Sequence, residues 1–136
     1  MRLVREQDGA VVVERLELAD RFLPRLRGLM GRRALEPGHG LWLEPCASVH
    51  MMFMRFPLDV LFLRRARGER LAPGAAGEVV AIQEGVRPWV GLAACRGASS
   101  ALEVPAGEAA RRGLRPGDRL RLETGSPADA PAGGAA

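Results

Sequence analysis

Residues 40–63 are the most apolar stretch of this 136-residue chain, and two prolines within it help to separate short apolar runs at 40–44, 49–54 and 58–63. Short apolar runs bounded by proline or glycine are typical of strands, and a strand that is apolar on both faces is covered on both sides. No run in the chain approaches the roughly eighteen apolar residues of a membrane-spanning helix. The stretch therefore predicts buried strands of a water-soluble domain.

The remaining segments repeat this β-type pattern and add one strong helix. Short strands are predicted within "RLVRE" and "AVVVERLEL", which flank a tight turn at residues 7–9, and at 78–84, 99–104 and 119–123. Helical spacing of apolar residues between Asp20 and Gly31 predicts a helix, and "PAGEAARRG" predicts a second, shorter one. The fold class is therefore mainly β: a compact antiparallel β barrel or sandwich with one or two short helices packed on it.

The length of the chain suits one domain, which we predict to span residues 1–124. Residues 125–136, "GSPADAPAGGAA", carry too few bulky apolar side chains to order themselves. They are predicted to be a disordered tail rich in Gly, Ala and Pro.

The charge of the chain argues against a nucleic-acid partner. The pI of 10.7 accompanies a formal net charge of only +4, because all Lys-or-Arg positions are arginine. These arginines are spread along a chain that is 4% aromatic, whereas nucleic-acid binders group them beside stacking rings. The absence of Lys, Asn and Tyr points to a bacterium with a GC-rich genome. Charged residues interrupt the apolar residues of the N-terminal segment every few positions, whereas a signal peptide has an uninterrupted apolar core. The segment therefore predicts a cytoplasmic location.

Cys46 and His50 have the four-residue spacing that places two metal ligands on one face of a helix. On a strand, which the flanking prolines favour, the two residues lie about 13 Å apart and do not share a metal ion. His39 is the only other histidine. We therefore predict no metal site and no cofactor, with Cys46 and Cys95 as free thiols and His50 as a hydrogen-bonded imidazole.

Polar residues inside the apolar runs leave two interpretations open. Asp59 shares a strand face with Leu61 and Leu63, so its carboxylate needs hydrogen-bond donors, an arginine such as Arg55, or a raised pKa. It either anchors a turn or caps a helix, or it acts as a general acid or base together with His50. Glu103, in the run at 99–104, faces the same choice. On a strand, His50, Met52 and Met54 share one face, and these methionines either fill the core or contact a ligand.

Four segments in order, at 25–35, 40–63, 78–82 and 101–120, resemble the bacterial and archaeal family called domain of unknown function 192. The resemblance rests on a Gly-Leu-Met helix end, a Met-x-x-Pro-hydrophobic-Asp block, a strand and a Leu-Glu block that ends in Gly-Asp. Its residues are Gly28, Leu29, Met30, His50, Met54, Pro57, Asp59, Glu103, Gly107, Gly113, Gly117 and Asp118. The family implies a compact, mainly antiparallel β fold with a packed helix, no established activity, and an association with pilus or secretion machinery in some bacteria.

The function that the sequence predicts is a small β-barrel binding or accessory module. Its pocket for a small molecule or peptide would lie at a hairpin over residues 45–63, turned at 55–57, with binding residues His50, Met52, Met54, Arg55 and Asp59. The alternative is a hydrolase-like or other acid–base enzyme, with catalytic candidates His50, Asp59, Cys46 and Glu103. A weaker alternative is an accessory protein that docks through an arginine-rich surface. The sequence predicts neither a substrate nor an oligomeric state.

Overall fold

The computed structural model describes residues 1–19 and 32–125, which contain ten strands and one short helix. The elements are β1 (Arg2–Arg5), β2 (Val11–Val13), β3 (Arg15–Ala19), β4 (His39–Leu43), β5 (Ser48–His50), β6 (Leu58–Arg64), β7 (Ala76–Val86), β8 (Leu92–Ala94), β9 (Ser100–Pro105), α1 (Glu108–Arg111) and β10 (Arg119–Glu123). The helix predicted between Asp20 and Gly31 lies outside the described residues, and so does the predicted tail after residue 125.

Eight strands form one sheet in the order β2-β1-β10-β7-β6-β9-β4-β3, and every pair except the parallel β3–β4 pair is antiparallel. The edge strands β2 and β3 follow one another in the chain, and Leu16 N–H donates to Met1 O at 2.8 Å. The sheet therefore curls until its edges approach each other, although the strand pairing does not close into a barrel. The prediction of a mainly β, largely antiparallel fold with a short helix is confirmed.

The N-terminal hairpin forms as predicted, but its second arm divides. Gly9 adopts a φ of 72° in the turn between β1 and β2, as the Asp-Gly pair indicates. The segment "AVVVERLEL", predicted as one strand, breaks at Glu14 because the N–H groups of Glu14 and Arg15 both donate to Gly38 O. Beyond this break the chain exchanges its antiparallel partner β1 for the parallel partner β4.

Two apolar clusters cover the two faces of the central strands. On β6, Leu61 and Leu63 belong to one cluster, whereas Val60 and Phe62 belong to the other. The first cluster includes Ala109 of α1. The second is completed by side chains of β5, β8 and the loop after β5: Val49, Ala93, Met51 and Met54. The prediction that the run at 58–63 is a strand buried on both faces is confirmed.

The predicted hairpin over residues 45–63 is wrong. Strand β5 pairs with β8 in a separate two-stranded sheet, whereas β6 lies between β7 and β9. The strand ends at His50 because Met51 O accepts hydrogen bonds from Met54 N–H and Trp89 N–H, which turn the chain. The predicted alternation of faces through Met54 is therefore also wrong: Met51 and Met54 are buried while Met52 is 51% exposed.

Candidate functional site

Asp59 is fully buried in β6 and connects three parts of the fold. Its Oδ1 accepts a hydrogen bond from Gly85 N–H of β7 at 2.9 Å. Its Oδ2 accepts from Gly107 N–H at 3.0 Å and from Ala109 N–H at 3.1 Å, at the start of α1. Since the N-cap position of α1 is a glycine, Asp59 supplies the acceptor that an N-cap side chain usually provides. Of the two interpretations of Asp59, this geometry matches the helix cap and not the general acid or base.

Gly85 donates to Asp59 because β7 carries a bulge at this point. Leu58 pairs with Val86 while Val60 pairs with Gln83, so β7 contains one more residue than β6 across this interval. Gly85 adopts a φ of 60° within the bulge, a conformation that costs other residues about 1–2 kcal/mol. The glycine therefore allows the bulge whose N–H group reaches the buried carboxylate.

Replacing Asp59 by asparagine should destabilise the protein strongly. The Asp59→Asn side chain presents one NH₂ group to backbone N–H donors, so at least one buried donor loses its acceptor. We expect the free energy of unfolding to fall by about 2–4 kcal/mol, measured by urea denaturation at pH 7. The control is Glu84→Gln, at an exposed position beside Gly85. An Asp59→Asn variant as stable as this control would contradict the structural role of the carboxylate.

Glu103 is a second buried carboxyl group, on the opposite face of the same sheet from Asp59. In the β6–β9 pair Glu103 lies opposite Val60, whereas Asp59 lies opposite Val104. The Glu103 side chain is 4% exposed, and its Oε1 has no hydrogen-bond partner in the described part of the chain. Burial raises the pKa of Glu103 to about 7, while the positive charge of Arg32 acts in the opposite direction. The group is therefore a half-ionised acid near neutral pH.

The raised pKa of Glu103 predicts a specific pH dependence of stability. Between its ordinary pKa of 4.5 and about 7, the folded state binds more protons than the unfolded state, so the free energy of unfolding falls as pH rises. At about 1.4 kcal/mol per pKa unit, the loss reaches about 3 kcal/mol once the carboxyl group is ionised in both states. The Glu103→Gln variant lacks this loss, and its stability relative to the unmodified protein should increase from pH 5 to pH 8.

Urea denaturation at both pH values measures this difference, with the exposed Glu78→Gln as the control for removal of one surface charge. A stability difference between Glu103→Gln and the unmodified protein that stays constant from pH 5 to pH 8 would show that Glu103 titrates normally.

The four catalytic candidates do not come together. His50 is exposed on β5, whereas Asp59 and Glu103 are buried on opposite faces of the large sheet. The thiol of the half-buried Cys46 lies 3.1 Å from Ser48 O, to which it donates. Both oxygens of Asp59 are bound to backbone N–H groups, and neither His50 nor Arg55 is among its partners. Within residues 1–19 and 32–125, no three His, Cys, Asp or Glu residues are grouped to hold a metal ion.

A cleft of about 420 Å³ lies away from the predicted pocket, between the 36–39 segment and the end of α1. Its lining includes Glu14, Arg15, His39 and Arg112. Arg112 forms ion pairs with Glu14 at 2.8 Å and with Glu108 at 3.2 Å. The charge of Arg112 is therefore already neutralised by protein carboxylates.

Five large apolar side chains are exposed at one end of the small sheet, on the loop after β5, on the loop before β8 and at the first residue of β8. We call them the aromatic patch: Met52 (51% exposed), Phe53 (54%), Trp89 (57%), Val90 (80%) and Leu92 (64%). Met1, at 36%, is the one other exposed large apolar side chain among the described residues. Exposed apolar residues are normally scattered singly, and a concentration of them such as this one is a feature that interaction surfaces often have.

Hydrogen bonds and a ring contact hold the two loops of the patch together. Trp89 N–H donates to Met51 O at 2.7 Å, and Met51 N–H donates to Gly91 O at 3.0 Å. The Phe53 and Trp89 rings meet edge to face, with centroids 5.3 Å apart. Within the second loop, a Cβ atom on Gly91 would lie 2.7 Å from Val86 Cγ1 and closer still to Arg87 O, so the turn from Val86 to Gly91 requires glycine. These contacts join the two loops into one surface.

Phe53 and Trp89 are also the two non-glycine residues with positive φ among the described residues, at 66° and 67°. The left-handed conformation costs a bulky residue about 1–2 kcal/mol, and it occurs here at two exposed aromatic side chains. Such strain is often found at functional sites. Sequence reasoning named Met52 but missed the other four residues, although the Trp89-Val90 pair between Pro88 and Gly91 is a signal of an apolar loop.

The sequence from Leu3 to Leu122 matches the family described as an uncharacterised conserved family, domain of unknown function 192. The chain belongs to this family. It is 33% identical over 113 residues to a UPF0127 protein of the archaeon Thermococcus sibiricus. That match covers 77% of this chain and 64% of the length of the curated relative. The resemblance stated from the sequence is thereby confirmed, and the family has no established activity.

Two solved structures share the fold. One is a protein of unknown function from Novosphingobium aromaticivorans, with a TM-score of 0.71, 26% identity, and coverage of 89% of this chain and 82% of the other. The second is described as a candidate transcription regulator from Sinorhizobium meliloti, with a TM-score of 0.68, 29% identity, and coverage of 88% and 89%. In this chain, no helix among the described residues is long and apolar enough to cross a membrane.

Proposed function

We propose that this protein is a binding module that holds an apolar segment of a partner protein on the aromatic patch. The supporting observation is the concentration of exposed apolar side chains at Met52, Phe53, Trp89, Val90 and Leu92. Tryptophan and other aromatic residues supply much of the binding free energy at protein interfaces. The patch contains two such residues, already fixed against each other by their ring contact.

A fixed patch lowers the entropic cost of binding. Ordering a flexible side chain on binding costs about 0.5–1.5 kcal/mol, and the ring contact and backbone hydrogen bonds of the patch already limit this freedom. The strain at Phe53 and Trp89 is offset within the fold by the bonds to Met51 and by the burial of Met51 and Met54. The second apolar cluster therefore supports a surface that is apolar and rigid before any partner arrives.

The five predicted binding residues divide into contact and support roles in this proposal. Met52 belongs to the patch, and Arg55 is exposed two residues beyond Phe53. His50 is the exposed cross-strand neighbour of Leu92. Met54 and Asp59 are buried, so they position the loop and the sheet beneath it without touching a partner. The acid–base alternative gains no support from this arrangement, and a cytoplasmic location stays a prediction from the sequence.

Selection of peptides from a random twelve-residue display library tests the proposed function. The Trp89→Asn and Phe53→Asn variants remove the rings, and asparagine tolerates the left-handed backbone at both positions. We expect either change to weaken binding of the selected peptides at least tenfold, as measured by fluorescence anisotropy of the labelled peptide. The matched control is Arg67→Asn, an exposed position away from the patch, which should leave the affinity unchanged.

Thermal melting establishes that each variant is folded before its affinity is compared. Peptides that bind both asparagine variants as tightly as the unmodified protein would place the contact surface elsewhere. A folded protein that enriches no peptide from the library would contradict the proposed function itself.

A further inference from the structure

Strand β8 has one open edge beside the aromatic patch. It pairs with β5 on one side and has no second strand partner among the described residues. Cys95 N–H donates to Ala47 O at 2.9 Å, and Met51 N–H donates to Gly91 O at 3.0 Å. Since hydrogen-bonded pairs alternate along an antiparallel ladder, the N–H and C=O groups of Leu92 and Ala94 point away from β5. These groups face the open edge.

Two arginines flank the aromatic patch in the sequence. Arg55 lies two residues after Phe53, and Arg87 lies two residues before Trp89. Both side chains are exposed, and neither forms a hydrogen bond or ion pair within the described part of the chain. Elsewhere, Arg112 and Arg121 are paired with glutamates, whereas Arg64 and Arg67 also lack ion pairs within the described residues. The unpaired cations next to the patch favour a partner that carries carboxylates.

We propose that the partner segment is an extended peptide of alternating apolar and acidic residues that adds to the open edge of β8. This inference rests on the proposed function and specifies its ligand. The backbone of the peptide bonds to the outward N–H and C=O groups of Leu92 and Ala94. Its apolar side chains cover Leu92, Val90 and Trp89, and its carboxylates approach Arg55 and Arg87. Main-chain bonding provides affinity, while the patch and the arginines select the sequence.

Charge and side-chain chemistry disfavour two other occupants. A second copy of this chain, added symmetrically at β8, would bring the same unpaired arginines of both copies near one another. Single-stranded nucleic acid would suit the arginines and rings, but Met52, Val90 and Leu92 are aliphatic and offer no stacking surface. A strand with alternating acidic and apolar residues can bond to the open edge, cover the aliphatic residues and pair with the arginines at the same time.

The first test uses two libraries of ten-residue peptides. In one, Phe, Val or Leu alternates with Glu or Asp; in the other, Lys replaces each acidic residue. We expect enrichment from the acidic library only. The Arg55→Gln/Arg87→Gln double variant should bind the best acidic peptide at least tenfold more weakly at low salt. The matched control is Arg64→Gln/Arg67→Gln, two exposed arginines without ion pairs in the described residues, which should retain the affinity.

Amide hydrogen exchange, measured by NMR on the unmodified protein with the best acidic peptide, tests strand addition. The N–H groups of Leu92 and Ala94 should exchange at least tenfold more slowly when the peptide is bound. Ala93 N–H points toward β5 and serves as the control within the same strand, because its protection should not change. N-methylation of the peptide at alternate residues should abolish binding in one register and spare it in the other.

The possible outcomes separate the two proposals. Peptides that bind and respond to Trp89→Asn, without slower exchange at Leu92 and Ala94, would overturn strand addition and leave the binding module intact. Enrichment from the lysine library, tight binding of a single-stranded oligonucleotide, or self-association through β8 would overturn the acidic-peptide assignment. Failure of every peptide to bind the folded protein would overturn both.

Discussion

The buried carboxylate of Asp59 is the interaction on which the arrangement of the large sheet depends. It accepts hydrogen bonds from β7 and from the start of α1, while its own strand lies at the centre of the sheet. An ionised or hydrogen-bonding group is costly to bury unless its bonds are complete, so β6, the β7 bulge and α1 must keep their positions together. This requirement fixes one end of the sheet and aligns α1, whose four residues are too few for a stable isolated helix.

The two faces of the central strands then have different roles. The face with Asp59 and Leu61 carries the cluster that includes α1, and its polar group is fully bonded. The other face carries Val60, Phe62 and Glu103 and is covered partly by the small β5–β8 sheet. That small sheet buries its inner side chains in this cluster and leaves the aromatic patch outside. The position of the patch is thus a consequence of how the second face of the large sheet is covered.

Much of the architecture could be predicted from the sequence, because strand burial depends on local pattern. The run at 58–63 predicts a strand, and a carboxylate within it predicts bonded partners for Asp59. The partners themselves could not be identified from the sequence. They are backbone N–H groups 26, 48 and 50 residues away, and every residue type except proline has such a group. The prediction of a hairpin over 45–63 was wrong for a related reason. Strand β5 pairs with β8, which is distant in sequence, whereas adjacency along the chain favoured β6 as its partner.

The aromatic patch could not be predicted from the sequence because it depends on positive φ angles at Phe53 and Trp89, which aromatic residues normally avoid. Phenylalanine and tryptophan favour strands and avoid positive φ, so Met52 and Phe53 were assigned to a continuing strand. The actual conformation depends on Met51 O, which accepts hydrogen bonds from both Met54 N–H and Trp89 N–H. The bond to Trp89 joins two loops that the pairing of β5 with β8 brings together. A glycine at either position would relieve the strain but remove the ring. Because positive φ at these two exposed positions costs stability, the presence of aromatic side chains there supports the proposed contact role and not a stabilising one.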